Sequence, residues 1–258
     1  MAETTHRNVI DLVAPPHACR HCGLLQLCDH GQVTTPAIEQ LSAIVRHRVP
    51  LARGAALFHE GEPFRSIYVV FSGAMKTFTC SYDGDEQIVA FYLAGELVGV
   101  DGVHTGSHGS SAVALDRASV CEIPFEKLET LAQDIPGLLH QMLCMMSKEI
   151  LQDEETMLLL GKKTADERLA SLLLSLARRF REQGYSAQEF HLPMSRDDIA
   201  NYLGLAHETV SRLFSRFQRQ GLLTVRGKHV CVNNLAQLEI LAGVPGAGAK
   251  TGRAGQII

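Results

Sequence analysis

The chain has 258 residues, enough for two domains with separate cores, and its 46% hydrophobic and 20% charged content is ordinary for a folded globular protein. No apolar run approaches the roughly 20 residues of a membrane span, and MAETTHRNVIDLV lacks a basic segment followed by an apolar core, so no membrane partner and a cytoplasmic location are expected. Net charge is −4, yet residues 161–230 hold 12 Lys/Arg against 7 Asp/Glu, a local +5 that leaves −9 for the remainder; a basic C-terminal module on an acidic body is the pattern of a nucleic-acid-binding part attached to something else.

Residues 1–35 form a cysteine-rich loop. Seven cysteines, an odd number without an export signal, argue against a disulfide framework. Three of them, Cys19, Cys22 and Cys28, stand in HACRHCGLLQLCDHG with C-x2-C-x5-C spacing. Short spacings let one loop wrap one metal centre, and three thiolates leave a tetrahedral or cubane centre one ligand short. The fourth is sought among Cys80, Cys121, Cys144, Cys231, His17, His21 and His30. Zinc and iron–sulfur both suit the ligand type. A single C-x2-C clip with one remote cysteine fits a cluster better than the paired clips usual for zinc.

Residues 36–135 read as a small β domain preceded by a helix at Pro36–Val45. Candidate strands are Ala55–Phe58, Ser66–Phe71, Ala74–Tyr82, Glu86–Leu93, Leu97–Val100, Ser111–Leu115 and Ala118–Pro124, with glycine turns between them. Short strands at this spacing make a sandwich or barrel. Alternation leaves Cys121 either a small core residue or a ligand facing the N-terminal loop.

Residues 136–161 form one long helix. Leu139, Leu143, Met146, Ile150, Asp153, Met157 and Leu160 recur with alternating steps of 4 and 3, a seam that calls for a second copy of itself. Asp153 interrupts the apolar row. Two such carboxylates about 6 Å apart at an effective dielectric near 20 repel by roughly 3 kcal/mol, which makes a homodimer marginal and therefore switchable.

Residues 162–242 read as a winged helix-turn-helix. A helix at Ala165–Gln183 is followed by Ser195 and Asp198 in capping-box register, a short helix through Leu203, the turn at Gly204, and a second helix from about His207 to Gln220. Thr224–Arg226 and His229–Val232 form the wing. Glu208, Ser211 and Arg212 share one face of the second helix, where Arg pairs with guanine, Glu accepts from cytosine N4 and Ser adapts; Arg216 and Arg219 continue toward phosphates of double-stranded DNA. Val210, Leu213, Phe214 and Phe217 face inward. Residues 243–258 are Gly/Ala-rich, the composition of a disordered tail. No Gly-rich nucleotide loop or nucleophile–base pair argues for an enzyme.

LFHEGE at 57–62, YVVFSG at 68–73 and GELVG at 95–99 resemble the jelly-roll domain of the CRP/FNR family of bacterial regulators. The resemblance implies an α+β fold: a cyclic-nucleotide-binding-like β jelly-roll sensor domain, a long dimerisation helix and a C-terminal winged helix-turn-helix. Cyclic-AMP-binding members carry an Arg-Ser/Ala-Ala segment for the cyclic phosphate. This chain has Ser110, Ser111, Ala112 and Val113 there, so no cyclic nucleotide is expected.

Cys19, Cys22, Cys28 and Cys121 match the set that holds a [4Fe–4S] cluster in the oxygen-sensing FNR (fumarate and nitrate reduction regulator) branch. On that reading Cys80 and Cys144 are core residues and Cys231 is a wing thiol. Glu208, Ser211 and Arg212 match the branch's base-reading set, which implies palindromic TTGAT-like sites. Ala206 and His207 replace the threonine common before the Glu, with loss of a cap or phosphate contact. The exposed turn Asp83, Gly84, Asp85 and Glu86 resembles the RNA-polymerase-activating surface of relatives, with Phe71–Met75 and Asp116–Ala118 as weaker candidates. The implied function is anaerobic activation or repression of genes by a cluster-stabilised homodimer. The rival is a zinc-containing or nitric-oxide-responsive regulator of the same fold.

Overall fold

The computed structural model describes residues 35–47 and 50–243. Cys19, Cys22, Cys28 and the tail beyond 243 lie outside the described residues. Helix α1 (Thr35–Ile44) leads into strands β1 (Arg46–His47), β2 (Ala56–Phe58), β3 (Ser66–Ser72), β4 (Ala74–Cys80), β5 (Glu86–Leu93), β6 (Leu97–Val98), β7 (Ser111–Ala114) and β8 (Ser119–Pro124). Two four-stranded antiparallel sheets result, in the orders β1-β8-β3-β6 and β2-β7-β4-β5. The tight turn from β3 into β4 requires glycine. Gly73 has φ +79°, and a Cβ there would lie 2.4 Å from the carbonyl oxygen of Arg117.

Alternation along the strands sorts the roll into layers. Phe58, Tyr68, Val70, Met75, Val98, Ala112 and Val120 fill the space between the sheets. Ile67, Val69, Cys121 and Ile123 point out of the first sheet, where Leu41 of α1, Leu128 of α2 (Phe125–Asp134) and Leu138 of α3 (Pro136–Lys162) cover them. Helix α2 was not expected from the sequence. It follows β8 directly, with Leu128 and Ala132 buried four residues apart on one face.

The outer face of the second sheet takes the C-terminal part of the chain. Ala74, Ile88, Phe91, Leu93 and Leu115 belong to the same core as Leu169, Leu173, Leu176 and Phe217. That core holds α4 (Ala165–Glu182), α5 (Arg196–Leu203), α6 (His207–Arg219) and α7 (Leu235–Leu241), with a small sheet in the order β10-β11-β9 built from β9 (Glu189–His191), β10 (Leu223–Arg226) and β11 (His229–Val232). Both capping boxes are formed, Thr164 with Glu167 at α4 and Ser195 with Asp198 at α5. No helix among the described residues is long and apolar enough to cross a membrane.

Two expectations fail here. Cys80 ends β4 and is exposed, and Cys144 lies on the outward side of α3, also exposed; neither belongs to a core. Cys80 stands where β4 runs out into the turn at 81–85. Cys144 sits on α3 about 120° around the helix from the buried Leu138, with Sγ 3.5 Å from His140 Nε2 one turn earlier.

Candidate nucleic-acid interface and cysteine layer

Helices α5 and α6 meet at Gly204, whose φ of +60° ends α5 in the left-handed conformation. One face of α6 (Val210, Leu213, Phe214, Phe217) is buried in the core. That anchoring turns the other face outward: Glu208 and Arg212 are exposed and Ser211 is half-buried. Three groups able to address base edges therefore stand together near the N-terminus of a helix. Ala206 precedes the helix without a side-chain cap.

Arg216, expected to face phosphates, has a partner within the protein. Its guanidinium is ion-paired with Asp166 at the start of α4, and its Nε is buried without a hydrogen-bond partner among the described residues. In this arrangement it braces α6 on α4. Arg196 likewise stacks on Phe214, 3.2 Å from the ring centroid, and burial pushes its pKa down to about 10.

Helix α3 is one continuous 27-residue helix. Leu139, Leu143, Met146, Ile150 and Met157 form an exposed stripe between 37% and 72% accessible, and Asp153 is exposed within it. Partial burial pushes the Asp153 carboxyl above its ordinary range. Leu160 leaves the stripe: it is half-buried and packs on the C-terminal core beside Leu159. The seven-residue repeat drifts about 20° per heptad on a straight helix, so its last member rotates off the seam.

Arg168, which the sequence did not mark, closes both helix ends nearby. It donates to Leu160 O at 2.7 Å, Lys163 O at 3.0 Å and Leu203 O at 2.8 Å, satisfying carbonyls that α3 and α5 leave open. Thr156 and Tyr202 hydroxyls meet at 3.1 Å and add a second tie between α3 and α5.

A polar seam joins the roll to the C-terminal domain. Arg179 on α4 is paired with Glu96 and also donates to Phe91 O. Burial alone would lower the Arg179 pKa; the charge and hydrogen bonds of Glu96 outweigh it and hold the guanidinium charged. Lys76 reaches Asp198 at 2.8 Å, Asn201 bonds Ile88 N and Glu86 O, and Lys228 reaches Asp116 at 3.2 Å. Beside Arg179, a cavity of about 440 Å³ is bounded by α3, α4 and β5, and Glu149 and Asp153 face it. Burial, then the charges of Glu96 and Asp153, push the Glu149 carboxyl up to about 7.

Cys121 is 1% exposed in the layer under α1, α2 and α3, registered with Val69 on one side and His47 on the other. The same layer takes Leu138, Met142 and Met145 of α3. These three share a helix face one residue offset from the exposed stripe of Leu139, Leu143 and Met146. Among the described residues no three His, Cys, Asp or Glu side chains converge as metal ligands.

The acidic turn is formed as a hairpin tip. Gly84 has φ +87°, and Asp83, Gly84, Asp85 and Glu86 are exposed. Glu86 already belongs to β5, and its carbonyl accepts from Asn201 at 2.7 Å. Of the weaker surfaces, Phe71 is 40% exposed, and Asp116 is engaged by Lys228. In the loop before β7, Asp101 accepts from Gly109 N, Ser110 Oγ and, at 3.2 Å, contacts His108 Nδ1. A carboxylate thus organises the segment that carries Ser110 and Ser111.

The cyclic nucleotide-binding domain signature matches residues 48–134, and the Crp-like helix-turn-helix domain signature matches residues 167–241. The transcriptional activator protein Anr of Pseudomonas aeruginosa is 48% identical over 244 residues, covering 94% of this chain and 98% of its own. The fumarate and nitrate reduction regulatory protein of Escherichia coli K12 is 45% identical over 225 residues, covering 87% and 90% respectively. Among solved structures, FixK2 from Bradyrhizobium japonicum aligns with a TM-score of 0.71 at 34% identity, over 77% of this chain and 97% of that one.

Proposed function

This chain belongs to the CRP/FNR family of DNA-binding transcription regulators, in its FNR branch, and we propose that it is an oxygen-responsive switch whose dimer binds palindromic TTGAT-like sites when oxygen is absent. The observation that carries the proposal is the location of Cys121. Its thiol lies on the outer face of the roll, beneath α1, and α1 directly follows the segment with Cys19, Cys22 and Cys28. Cys28 is seven residues ahead of Thr35, and an extended chain spans at most about 3.5 Å per residue, so the link is long enough to bring that segment over the layer. The donor set fits a [4Fe–4S] centre: four cysteines, with the Cys121 thiol in apolar surroundings closed to water.

The four cysteines would hold the cluster, and α1 has to lift from Cys121 to admit it. When bound, the cluster supplies an oxygen-labile crosslink between the N-terminal segment and β8. The chain's own residues transmit the result. Leu138, Met142 and Met145 rest on the layer that contains Cys121, so repacking there rotates or shifts the first turns of α3. Those turns carry Leu139, Leu143, Met146 and Ile150, the exposed stripe on which a second copy would pack. Stable pairing has to overcome the repulsion between two Asp153 carboxylates, about 3 kcal/mol. The dimer then presents two copies of Glu208, Ser211 and Arg212 to successive major grooves.

For polymerase contact we assign the exposed hairpin Asp83–Glu86. Asp101 supports a different use of the roll from cyclic nucleotide binding, because a carboxylate there opposes a phosphate.

The decisive experiment is an anaerobic absorption spectrum with iron and sulfide analysis, repeated on Cys121→Ala. A brown protein that bleaches in air, with equal iron and sulfide, supports the proposal, as does loss of the chromophore in the variant. A colourless zinc protein, or a variant that keeps its cluster, refutes it.

A further inference from the structure

The start of α6 carries a hydrogen-bonded chain that the three base-facing residues do not explain. His207 is the first residue of the helix. Its Nδ1 lies 2.6 Å from Asp197 Oδ1 on α5, and its Nε2 lies 3.3 Å from Ser211 Oγ one turn along. An ionised carboxylate only accepts, so the Nδ1 proton stands on the Asp197 side. In the neutral ring Nε2 then holds a lone pair and no proton, and the Ser211 hydroxyl is the donor of the second bond. A hydroxyl has one proton. With that proton directed at His207, Ser211 offers the DNA groove lone pairs alone.

We propose that His207, oriented by Asp197, is a positioning residue that sets base preference: it holds Ser211 as a hydrogen-bond acceptor, so that Ser211 takes the amino group of adenine or cytosine and disfavours thymine O4 or guanine O6 at the same step. The proposal rests on Glu208, Ser211 and Arg212 being the base-facing set. Three features of this chain support it. Ala206 offers no side-chain cap, so the helix start is held instead by the bond between His207 and Asp197. Asp197 is 80% exposed and its Oδ1 lies 2.6 Å from His207 Nδ1, a hydrogen bond that keeps the carboxylate turned toward the neutral ring. Glu208 and Arg212, the neighbouring charged groups on α6, are exposed and leave the bond between His207 and Ser211 undisturbed. Without the ring, the Ser211 hydroxyl becomes a rotor that either backs onto its own helix or donates to a base.

The test uses the full chain prepared anaerobically as wild type, His207→Ala, Asp197→Ala, Ser211→Ala and the double variant of His207 and Ser211. Each selects sites from a randomised duplex pool, and dissociation constants are then measured for the wild-type consensus and every single-base change at two salt concentrations, with circular dichroism as the check on folding. At one step of each half-site the wild type should favour the amino-bearing base by about 3- to 10-fold, the value of one hydrogen bond. His207→Ala should lose that preference at that step and keep it elsewhere. Asp197→Ala should weaken it, and the double variant should lose no more than Ser211→Ala alone. A uniform loss of affinity across all sequences, an unchanged preference, or a wild-type preference for the carbonyl-bearing base overturns the assignment. A wild-type consensus without TTGAT-like halves refutes the half-site reading separately, because His207 is judged from the difference between variants.

Discussion

Replacing Glu96 by Gln tests whether the C-terminal domain is locked on the roll by one buried ion pair. Glu96 is 19% exposed and Arg179 11%. Glu96 Oε2 accepts from Arg179 and, at 2.8 Å, from the backbone N–H of Leu93. Gln has one acceptor oxygen, so its amide nitrogen must face a donor, and Arg179 keeps Phe91 O as its remaining acceptor in the seam. Removing one partner of a buried pair costs roughly 3–5 kcal/mol. The partial exposure of Glu96 places the expected loss at the lower end, about 3 kcal/mol or roughly a 150-fold shift in the docking equilibrium. Urea unfolding followed by far-ultraviolet circular dichroism should split from one transition into two, and proteolysis between β5 and α5 should accelerate. Replacing both residues by Met should recover only part of the loss, because the Leu93 N–H loses its acceptor and Phe91 O a donor. A single unfolding transition shifted by less than about 1 kcal/mol would falsify the lock and reduce the pair to a surface contact.

The remaining tests address charge, pairing and DNA. Glu149 has its carboxyl raised from 4.5 to about 7, so the folded state holds a proton that the unfolded state has lost. Stability should therefore fall as pH rises from about 4.5 to 7, by up to about 3 kcal/mol, and Glu149→Gln should flatten that slope in pH-dependent melts. Asp153→Ala should dimerise and bind DNA in air; sedimentation showing a monomer without the cluster rejects the repulsion argument. Arg212→Ala should cost about 1–3 kcal/mol on the best site and relax preference at one guanine, read by competition with base-substituted duplexes. Arg216→Ala should lower the melting temperature and leave the salt slope of DNA binding unchanged, because the guanidinium engages Asp166; a slope reduced by about one restores the phosphate role.

Much of this protein was legible from local rules. Strand Glu86–Leu93, the capping box at Ser195 and the turn at Gly204 each follow from residue types within a few positions, and the structure reproduces them. The exposed row from Leu139 to Met157 is also periodic information. Helix α2 is short and follows β8 directly from Pro124 without a side-chain cap, so no start signal separates it from the strand.

What sequence could not state is which surface each element meets. The alternation of β8 shows that Cys121 and Val120 face opposite ways, and tertiary packing decides that Cys121 goes under α1 while Val120 fills the roll. Leu160 belongs to the seven-residue repeat in the sequence, yet the drift of a straight helix turns it onto the C-terminal core beside Leu159. Cys80 and Cys144 look like core residues by type, but both are exposed, one at a strand end and one on the outward side of α3. The ties made by Arg168, Arg179, Lys76 and Asn201 are separated by up to 122 positions and have no local signature. Periodicity determines that a face is apolar or charged; the partner for that face is set by burying the most apolar area with every polar group satisfied, and only the folded chain solves that problem.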